Sequence, residues 1–408
     1  MIITRPRRPQ LRLGYEMNAH PARRLSDLRA ALDRFTAPVA ARVAGDRPFG
    51  IVPHIGEGLS RELASPRVRR ELRDELAARG LFPFSVNAFP LQDFHARRVK
   101  EQVYLPSWAH HRRADLTSRI AEQLADLLPP GEAATISTLG GAYRPTGHTP
   151  GRLRRMATNY LRTVVRLVEL ERRQGVDITL AAEPEPDTTF EVAEDVTSFL
   201  EEHLLPTAAK ILPGALGIPR SAVPELLRRK FAVNLDVCHA AVMFRDPVEE
   251  WRRLEGAGLR VAKLHLTNAL SLRRPAEKPE ALAELLGYRE PRYLHQTVGR
   301  RRDGSLWRGA DLAALARAGG SLEELEEVRV HFHVPLSRAR LGSLRTTRRE
   351  AAAALEHALR HSDPPHLVIE TYTWPYFTRK AGSRSEARQA LVDGIVKEFR
   401  WVTEKVGL

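Results

Sequence analysis

Short runs of strand-forming residues alternate with longer segments of helical periodicity along the 408-residue chain, and this alternation constrains the fold most. The strand-like runs are residues 11–18, 49–54, 82–88, 134–139, 178–183, 231–236, 260–267 and 366–371, with a further run at 328–333. The helix-like stretches are residues 59–79, 116–128, 154–174, 192–211, 351–360 and 385–405. Strands that alternate with helices predict a parallel sheet, and continuous apolar runs such as 231–235 are typical of strands covered on both faces.

A barrel is the simplest arrangement of eight such units, because a (β/α)8 TIM barrel needs about 250 residues and this chain is longer. We therefore predict an α/β protein in which residues 1–408 form a single (β/α)8 TIM barrel domain. The extra length falls in two predicted long insertions, after strand 5 at about 187–230 and after strand 7 at about 268–327. The second insertion contains Pro, Arg and Gly, and we expect it to hold short helices.

The composition excludes several classes of protein. An apolar share of 43% and a charged share of 28% are typical of a globular chain, so disorder is excluded as the main state. No apolar run approaches the roughly 20 residues of a membrane span, and no apolar stretch follows the basic first residues as it would in a secretory signal. The single cysteine, Cys238, rules out an intrachain disulfide and is expected to be a small buried apolar side chain. These features predict a cytoplasmic protein with no membrane insertion.

The formal net charge of +14 raises the question of a nucleic-acid partner. The arginines are spread over nearly every predicted helix, as in residues 67–73 and 152–155, and aromatic residues are not interleaved with them. This distribution favours a generally solvated surface over a nucleic-acid face. We therefore expect a small-molecule metabolite as the ligand, and a homo-oligomer remains compatible with the sequence.

Carboxylates, imidazoles and amides recur where the predicted strands end, which is where TIM barrels build their active sites. The residues at these ends are Asn18, His20, His54, Asn87, Glu183, Glu185, Asp236, His239, His265 and Glu370. Several carboxylates that converge on one buried site need a cation, since an unpaired buried carboxylate costs several kcal/mol. Carboxylate oxygens together with imidazole suit a divalent metal ion such as Mn²⁺, Mg²⁺, Fe²⁺ or Zn²⁺. We predict Glu183, Asp236, His265 and Glu370 as its ligands.

Each candidate also has a structural interpretation. The Glu183 side chain can point into solvent at the end of its strand. Asp236 can cap a following helix that carries His239 on its first turn. His265, between two leucines, can be a core histidine whose hydrogen bonds are satisfied.

The remaining candidates have weaker signals. His331 and His333 alternate at strand spacing, so both point to one face, where they extend the metal site, orient a substrate or serve the fold. His95, His54, His20 and Asn18 are further candidates for contacting the substrate or the metal ligands, and Asn87 and Glu185 for binding the substrate. An anionic group on the substrate could be anchored by Arg154, Arg155 or Arg345.

The order of these residues resembles a known superfamily. Glu183-Pro, then Asp236-x-x-His239, then His265, then Glu370 is similar to the pattern of the xylose-isomerase-like barrels, which include sugar isomerases, epimerases and endonuclease-IV-type repair enzymes. In the epimerases, the resemblance implies that the equivalents of Glu183, Asp236, His265 and Glu370 bind one divalent metal ion. The two glutamates would flank the substrate and move a proton through an enediolate.

A closer resemblance covers nearly the whole chain. Residues 14–21, 87–95, 99–104, 183–186, 236–244, 331–335 and 370–374 are similar to the Ebo-cluster metabolite-traffic protein EboE. This resemblance implies a xylose-isomerase-like fold and a link to a gene cluster that makes or moves a secondary metabolite. The chain departs from the family pattern after Tyr15, where Glu16-Met17 stand in place of a Cys-Thr pair.

Three functions fit these features. The first is a metal-dependent isomerase or epimerase of a small polyhydroxylated or carbonyl metabolite, with Glu183 and Glu370 as the catalytic acid and base. The second is a metabolite-binding or traffic protein without catalysis. The third is a phosphodiesterase of the endonuclease IV type, for which His54, His95, His239 and His333 would supply additional zinc ligands.

Overall fold

The computed structural model describes residues 1–407, which form sixteen strands and eighteen α-helices. The strands are β1 Ile2–Arg5, β2 Arg8–Tyr15, β3 Phe49–Ile51, β4 Leu81–Pro83, β5 Ser85–Asn87, β6 Ala134–Leu139, β7 Ile178–Glu183, β8 Phe231–Asp236, β9 Val261–Leu266, β10 Asn268–Arg273, β11 Thr297–Arg301, β12 Leu306–Gly309, β13 Leu325–Val334, β14 Arg340–Leu341, β15 Leu344–Thr346 and β16 His366–Ile369. The helices are α1 Leu25–Ala31, α2 Ala37–Val43, α3 Glu57–Glu62, α4 Pro66–Ala78, α5 His111–Leu127, α6 Arg144–Gly147, α7 Pro150–Gln174, α8 Ala193–Phe199, α9 Leu205–Leu216, α10 Val223–Lys230, α11 Val237–Val242, α12 Pro247–Gly256, α13 Pro279–Leu286, α14 Leu312–Leu315, α15 Ser321–Glu324, α16 Arg348–Arg360, α17 Trp374–Thr378 and α18 Arg384–Val406.

Seven parallel strands and one antiparallel edge strand form the main sheet of residues 1–407, in the order β1-β2-β16-β9-β8-β7-β6-β5. Only β1 runs antiparallel, to β2. Strand β3 pairs with β4 in parallel, and isolated parallel bridges join Glu16 to Val52 and His54 to Asn87. Each of the eight predicted strand runs therefore pairs in parallel with a neighbour. Their carboxyl ends lie at one edge, which is where the candidate site residues are.

Helices cover the main sheet, and prolines decide where several of them begin. The predicted helix 59–79 is two helices, because Pro66 starts α4 at its first turn, a position that needs no backbone donor. Helix α7 begins at Pro150, four residues before the predicted start. It ends at Gly175, which takes the left-handed conformation with φ of 69° that favours glycine.

A second sheet was not predicted. Residues 268–346 contain the strands of a six-stranded sheet, in the order β12-β11-β13-β10-β15-β14, with every described pairing antiparallel. The predicted run 328–333 lies within its strand β13. The short helices expected for 268–327 are present as α13, α14 and α15, but β10, β11 and β12 lie in the same stretch. Leu270, Leu272, Val328 and Val330 give this sheet its own apolar core.

Among residues 1–407, no helix combines the length and the apolar character that a bilayer crossing requires.

Candidate metal centre

The four predicted metal ligands lie at the carboxyl ends of four neighbouring parallel strands. Glu183 ends β7, Asp236 ends β8, His265 is the fifth residue of β9, and Glu370 directly follows β16. One ligand atom from each lies within 4.8 Å of all the others. The exposed fraction of these residues is 5% or less, so the four side chains form one buried cluster.

The imidazole of His265 lies among the three carboxylates. Its Nδ1 is 2.9 Å from Glu370 Oε2, 3.1 Å from Glu183 Oε1 and 3.4 Å from Asp236 Oδ2. Burial lowers the pKa of His265, but the Glu370 and Glu183 carboxylates outweigh it and raise that pKa well above 6.5. A positive charge among the three carboxylates is therefore strongly favoured, and either a second proton on His265 or a metal ion can supply it.

The opposite nitrogen of His265 faces a buried ion pair. Glu16 Oε1 lies 3.2 Å from His265 Nε2 and accepts a 2.7 Å hydrogen bond from Lys263 Nζ. Lys263 Nζ also donates to Ser137 Oγ at 2.9 Å. When Nε2 donates to Glu16, the lone pair of Nδ1 points at the three carboxylates. Metal-ligating histidines show this arrangement, in which the second ring nitrogen donates to a carboxylate.

The donor set fits a divalent cation. Glu183 Oε2, Asp236 Oδ2 and Glu370 Oε2 are buried, and apart from the His265 Nδ1 contacts given above they have no hydrogen-bond donor within residues 1–407. Such oxygens are costly unless a cation or a donor reaches them. With Glu16 included, four carboxylates lie around Lys263 and the neutral His265 that a metal ion would bind, which leaves three negative charges. One divalent ion offsets two of them.

Glu370 is held in place by Asn18, whose Nδ2 donates to Oε1 at 2.8 Å. Burial raises the pKa of Glu370, but His265 and His333 outweigh it and hold the pKa well below 4.5. Glu185 behaves in the opposite way, because burial raises its pKa to about 8. Tyr104 donates its hydroxyl to Glu185 Oε1 at 3.2 Å, so at neutral pH a protonated Glu185 lies beside a tyrosine.

A pocket of about 60 Å³ opens over this cluster. Eight of the predicted site residues line it, namely Asn18, Asn87, Glu183, Glu185, His239, His331, His333 and Glu370. His54 and His95 line a neighbouring cavity of about 420 Å³, where each ring nitrogen Nε2 contacts a carbonyl, of Pro90 and Asn18 respectively. These two histidines lie next to the site rather than in it.

His20 was expected to contact the substrate, and the structure places it elsewhere. Its ring stacks on Phe35 with centroids 4.3 Å apart, and its Nε2 lies 3.2 Å from the Tyr15 hydroxyl. Burial lowers its pKa to about 3. His20 is therefore a packed core histidine and lines neither of these two cavities. Arg154, Arg155 and Arg345 are exposed, and the cation that lines the pocket is Lys100.

Sequence reasoning missed several residues at the site. Tyr104, Tyr293, Tyr372 and Lys100 line the pocket, while Glu16, Lys263, Asn234 and Gln296 contact the residues around it. A signal was available for two of them. Lys263 and Asn234 precede His265 and Asp236 by two residues on their strands, and that spacing places each pair on one face.

Comparison with protein-family models found no match, and comparison with curated proteins found no similar sequence. Solved structures gave several matches. A xylose isomerase-like TIM barrel protein from Mycobacterium smegmatis, in complex with magnesium, is 13% identical, with 97% of this chain and 98% of that chain covered and a TM-score of 0.49. An L-ribulose 3-epimerase is 11% identical, with 97% of each chain covered and a TM-score of 0.48. The IOLI protein with a zinc atom is 10% identical, with 96% and 99% covered and a TM-score of 0.45. These scores lie below 0.5, so the functional assignment rests on the residues of this chain.

Proposed function

We propose that this protein is a divalent-metal-dependent isomerase or epimerase that acts on a small polyhydroxylated or carbonyl metabolite. The observation that carries the proposal is the cluster of Glu183, Asp236, His265 and Glu370, with three unpartnered carboxylate oxygens within the described chain, at the carboxyl ends of parallel strands. The two glutamates also line the pocket, so they reach both a metal ion and a substrate.

The fold in this proposal is one xylose-isomerase-like barrel over residues 1–408, with insertions at about 187–230 and 268–327. The parallel bridge between Glu16 and Val52 and the pairing of β3 with β4 support a closed ring of strands. The EboE resemblance of the sequence supports a role in making or moving a secondary metabolite. The metal ion remains one of Mn²⁺, Mg²⁺, Fe²⁺ or Zn²⁺.

In this proposal Glu183, Asp236, His265 and Glu370 hold the metal ion. A bound divalent ion polarises a carbonyl or hydroxyl oxygen as a Lewis acid. Glu183 and Glu370 each keep one carboxylate oxygen for proton transfer, one taking a proton from a substrate carbon and the other returning one. Asn18 orients Glu370 through its 2.8 Å hydrogen bond to Oε1.

The lining of the pocket supports a small substrate. Asn87, Glu185, His239, His331 and His333 supply polar groups for substrate hydroxyls. Tyr104, Tyr293 and Tyr372 line the same space and exclude water from the reacting carbon.

The proposal is tested by proton exchange with solvent. Purified protein loaded with Mn²⁺, Mg²⁺ or Zn²⁺ is incubated in D₂O with a panel of aldoses, ketoses and keto acids, and NMR follows deuterium entering the substrate. We expect Glu183→Gln and Glu370→Gln to lower exchange about 10²–10⁴-fold, the usual contribution of a catalytic acid or base. Glu101→Gln changes an exposed glutamate next to Lys100 and serves as the matched control. Undiminished exchange in Glu370→Gln would contradict the proposal, and metabolite binding without exchange would support a traffic protein.

A further inference from the structure

A second cavity opens beside the pocket that lies over the carboxylate cluster of Glu183, Asp236, His265 and Glu370. Its volume is about 420 Å³, whereas the volume of the pocket is about 60 Å³. A site for a whole small-molecule ligand usually measures about 300–1,000 Å³. The pocket alone suits the reacting end of a metabolite, and the second cavity is large enough for a further part of the same molecule.

The two spaces meet at Phe94, which lines both of them. The Phe94 ring centroid lies 4.6 Å from that of Tyr293 and 5.4 Å from that of Tyr372, and both tyrosines line the pocket. The same centroid lies 6.0 Å from that of His54 and 5.6 Å from that of His95, and both histidines line the cavity. A ligand that passes over the Phe94 ring therefore reaches both spaces.

Two backbone carbonyl groups connect the wall of the cavity to the wall of the pocket. His54 Nε2 donates to the carbonyl oxygen of Pro90 at 2.6 Å, and His95 Nε2 donates to that of Asn18 at 2.9 Å. Pro90 and Asn18 line the pocket, and Asn18 also holds Glu370 through its side chain. The two histidines of the cavity are thus fixed directly to the site of the proposed reaction.

These contacts also decide what the two histidines offer to a ligand. A carbonyl oxygen only accepts, so Nε2 of each ring carries the proton and Nδ1 keeps a lone pair. Burial lowers the pKa of His54 and lowers that of His95 to about 4, so both rings are neutral at pH 7. No group within residues 1–407 donates to either Nδ1. The cavity wall therefore presents two acceptors whose donors a ligand can supply.

The charged groups in the cavity wall cancel one another. Arg23 pairs with Asp93, and Arg61 Nη2 lies 2.6 Å from Glu57 Oε1. All four residues line the cavity, so two cations stand against two carboxylates, and the amide of Gln92 adds a neutral donor and acceptor. A phosphate or another ion gains no net attraction from such a wall. Hydroxyl groups, which both donate and accept, match it.

We propose that this cavity is a second substrate subsite, which binds a neutral, hydroxyl-rich group joined to the carbonyl end of the substrate. The inference rests on the proposed function, because it places the carbonyl end at the metal ion. The substrate class is then a reducing disaccharide, or another sugar with a polyhydroxylated substituent, rather than a free monosaccharide. Phe94 supplies the apolar surface at the junction of the two parts.

Binding to the subsite is measured apart from any reaction. Calorimetry on full-length protein with Mn²⁺ compares sorbitol with lactitol and maltitol, which each join a sugar ring to sorbitol and contain no carbonyl group. We expect a disaccharide alcohol to bind at least about tenfold more tightly than sorbitol. Gln92→Trp, which fills the cavity from an exposed position, should remove this difference. Gln389→Trp, at an exposed glutamine outside the cavity, should keep it.

A second variant guards against a folding defect in Gln92→Trp. Arg61→Met removes a donor from the cavity wall, and its side chain is 68% exposed, so the fold does not depend on it. We expect Arg61→Met to weaken the binding of the disaccharide alcohol up to about tenfold, the usual range for one hydrogen bond, and to leave the affinity for sorbitol unchanged.

Deuterium exchange separates this inference from the proposed function. Glucose is compared with lactose and maltose in D₂O, and we expect kcat/KM for exchange to be at least about tenfold higher for a disaccharide. Equal affinities for sorbitol, lactitol and maltitol would overturn the subsite, whether or not the sugars exchange. Tighter binding of a disaccharide alcohol that Gln92→Trp removes, without exchange in any sugar, would keep the subsite and contradict the proposed isomerase.

Discussion

The ion pair between Lys263 and Glu16 lies directly beneath the carboxylate cluster, and its removal tests the electrostatics of the site. Both side chains are fully buried, and Lys263 Nζ lies 2.7 Å from Glu16 Oε1. Lys263→Met keeps the length of the side chain but leaves the Glu16 carboxylate without its lysine. Glu16→Gln leaves the ammonium group buried without its carboxylate. Each single change therefore leaves one member of the pair buried without its direct partner.

The expected cost follows from that burial. Breaking a buried pair by removing one partner costs about 3–5 kcal/mol, whereas replacing both partners by uncharged side chains is often close to neutral. We therefore expect each single variant to lose about 3–5 kcal/mol of the free energy of unfolding. The Lys263→Met/Glu16→Gln double variant should lose much less than the sum of the two, with a coupling energy of roughly 3 kcal/mol or more.

Wild type, the two single variants and the double variant form a double-mutant cycle. The free energy of unfolding of each protein is measured by urea denaturation, monitored by circular dichroism, once in chelator and once with saturating Mn²⁺. The matched control is the pair Arg166–Glu169, whose nitrogen and oxygen lie 2.7 Å apart but whose side chains are 60% and 37% exposed. Its Arg166→Met/Glu169→Gln cycle should give a coupling energy below about 1 kcal/mol. Additive losses at Lys263 and Glu16, or losses as small as in the control, would refute the reasoning.

Two further predictions concern residues that hold the walls of the site. Burial raises the pKa of Glu398, which accepts a hydrogen bond from Trp374, to about 7 from 4.5. The proton that folded Glu398 retains stabilises the fold fully below pH 4.5, and this stabilisation is lost as pH rises to about 7. Urea denaturation between pH 4.5 and 7 should therefore show the free energy of unfolding of wild type falling by about 3 kcal/mol relative to that of Glu398→Gln. The same pH dependence of this free energy in both proteins would contradict the prediction. Lys100 Nζ donates to the Tyr293 carbonyl oxygen at 2.6 Å and so ties one segment of the pocket wall to another. Lys100→Ala should speed amide hydrogen exchange in residues 99–104 and 290–294 about tenfold, whereas Lys278→Ala, at an exposed lysine, should leave it unchanged. Exchange in Lys100→Ala as slow as in wild type would show that other contacts hold this part of the pocket wall.

The strands and the metal ligands were within reach of the sequence because they depend on local pattern. Buried parallel strands appear in the sequence as continuous apolar runs, and the polar residues that follow these runs lie at the carboxyl ends of the strands. A polar residue at the end of such a run could therefore be assigned to the site from the sequence. Glu183, Asp236, His265 and Glu370 follow from that rule, and the structure brings them together. Their role as metal ligands stays a prediction.

The second sheet and the support of the site were beyond reach for physical reasons. Strand β10 starts two residues after β9 ends, so the two appear as one apolar stretch, and the hairpin of β11 and β12 is rich in arginine and glycine. Glu16 and Lys263 are 247 residues apart in the chain, and no local pattern pairs them. His20 follows a strand, as the clustered residues do, but its ring stacks on Phe35 in the core.

The most direct test of the central claim is the binding of Mn²⁺ to metal-free protein, measured by calorimetry for wild type and for Asp236→Ala. Mn²⁺ is chosen because it suits carboxylate ligands and so reports on the cluster of Glu183, Asp236, His265 and Glu370. Asp115→Ala, at an exposed aspartate, is the control. We expect one Mn²⁺ per chain in wild type and control, and binding weakened at least about 100-fold in Asp236→Ala. Equal binding in all three proteins, or none in wild type, would contradict it.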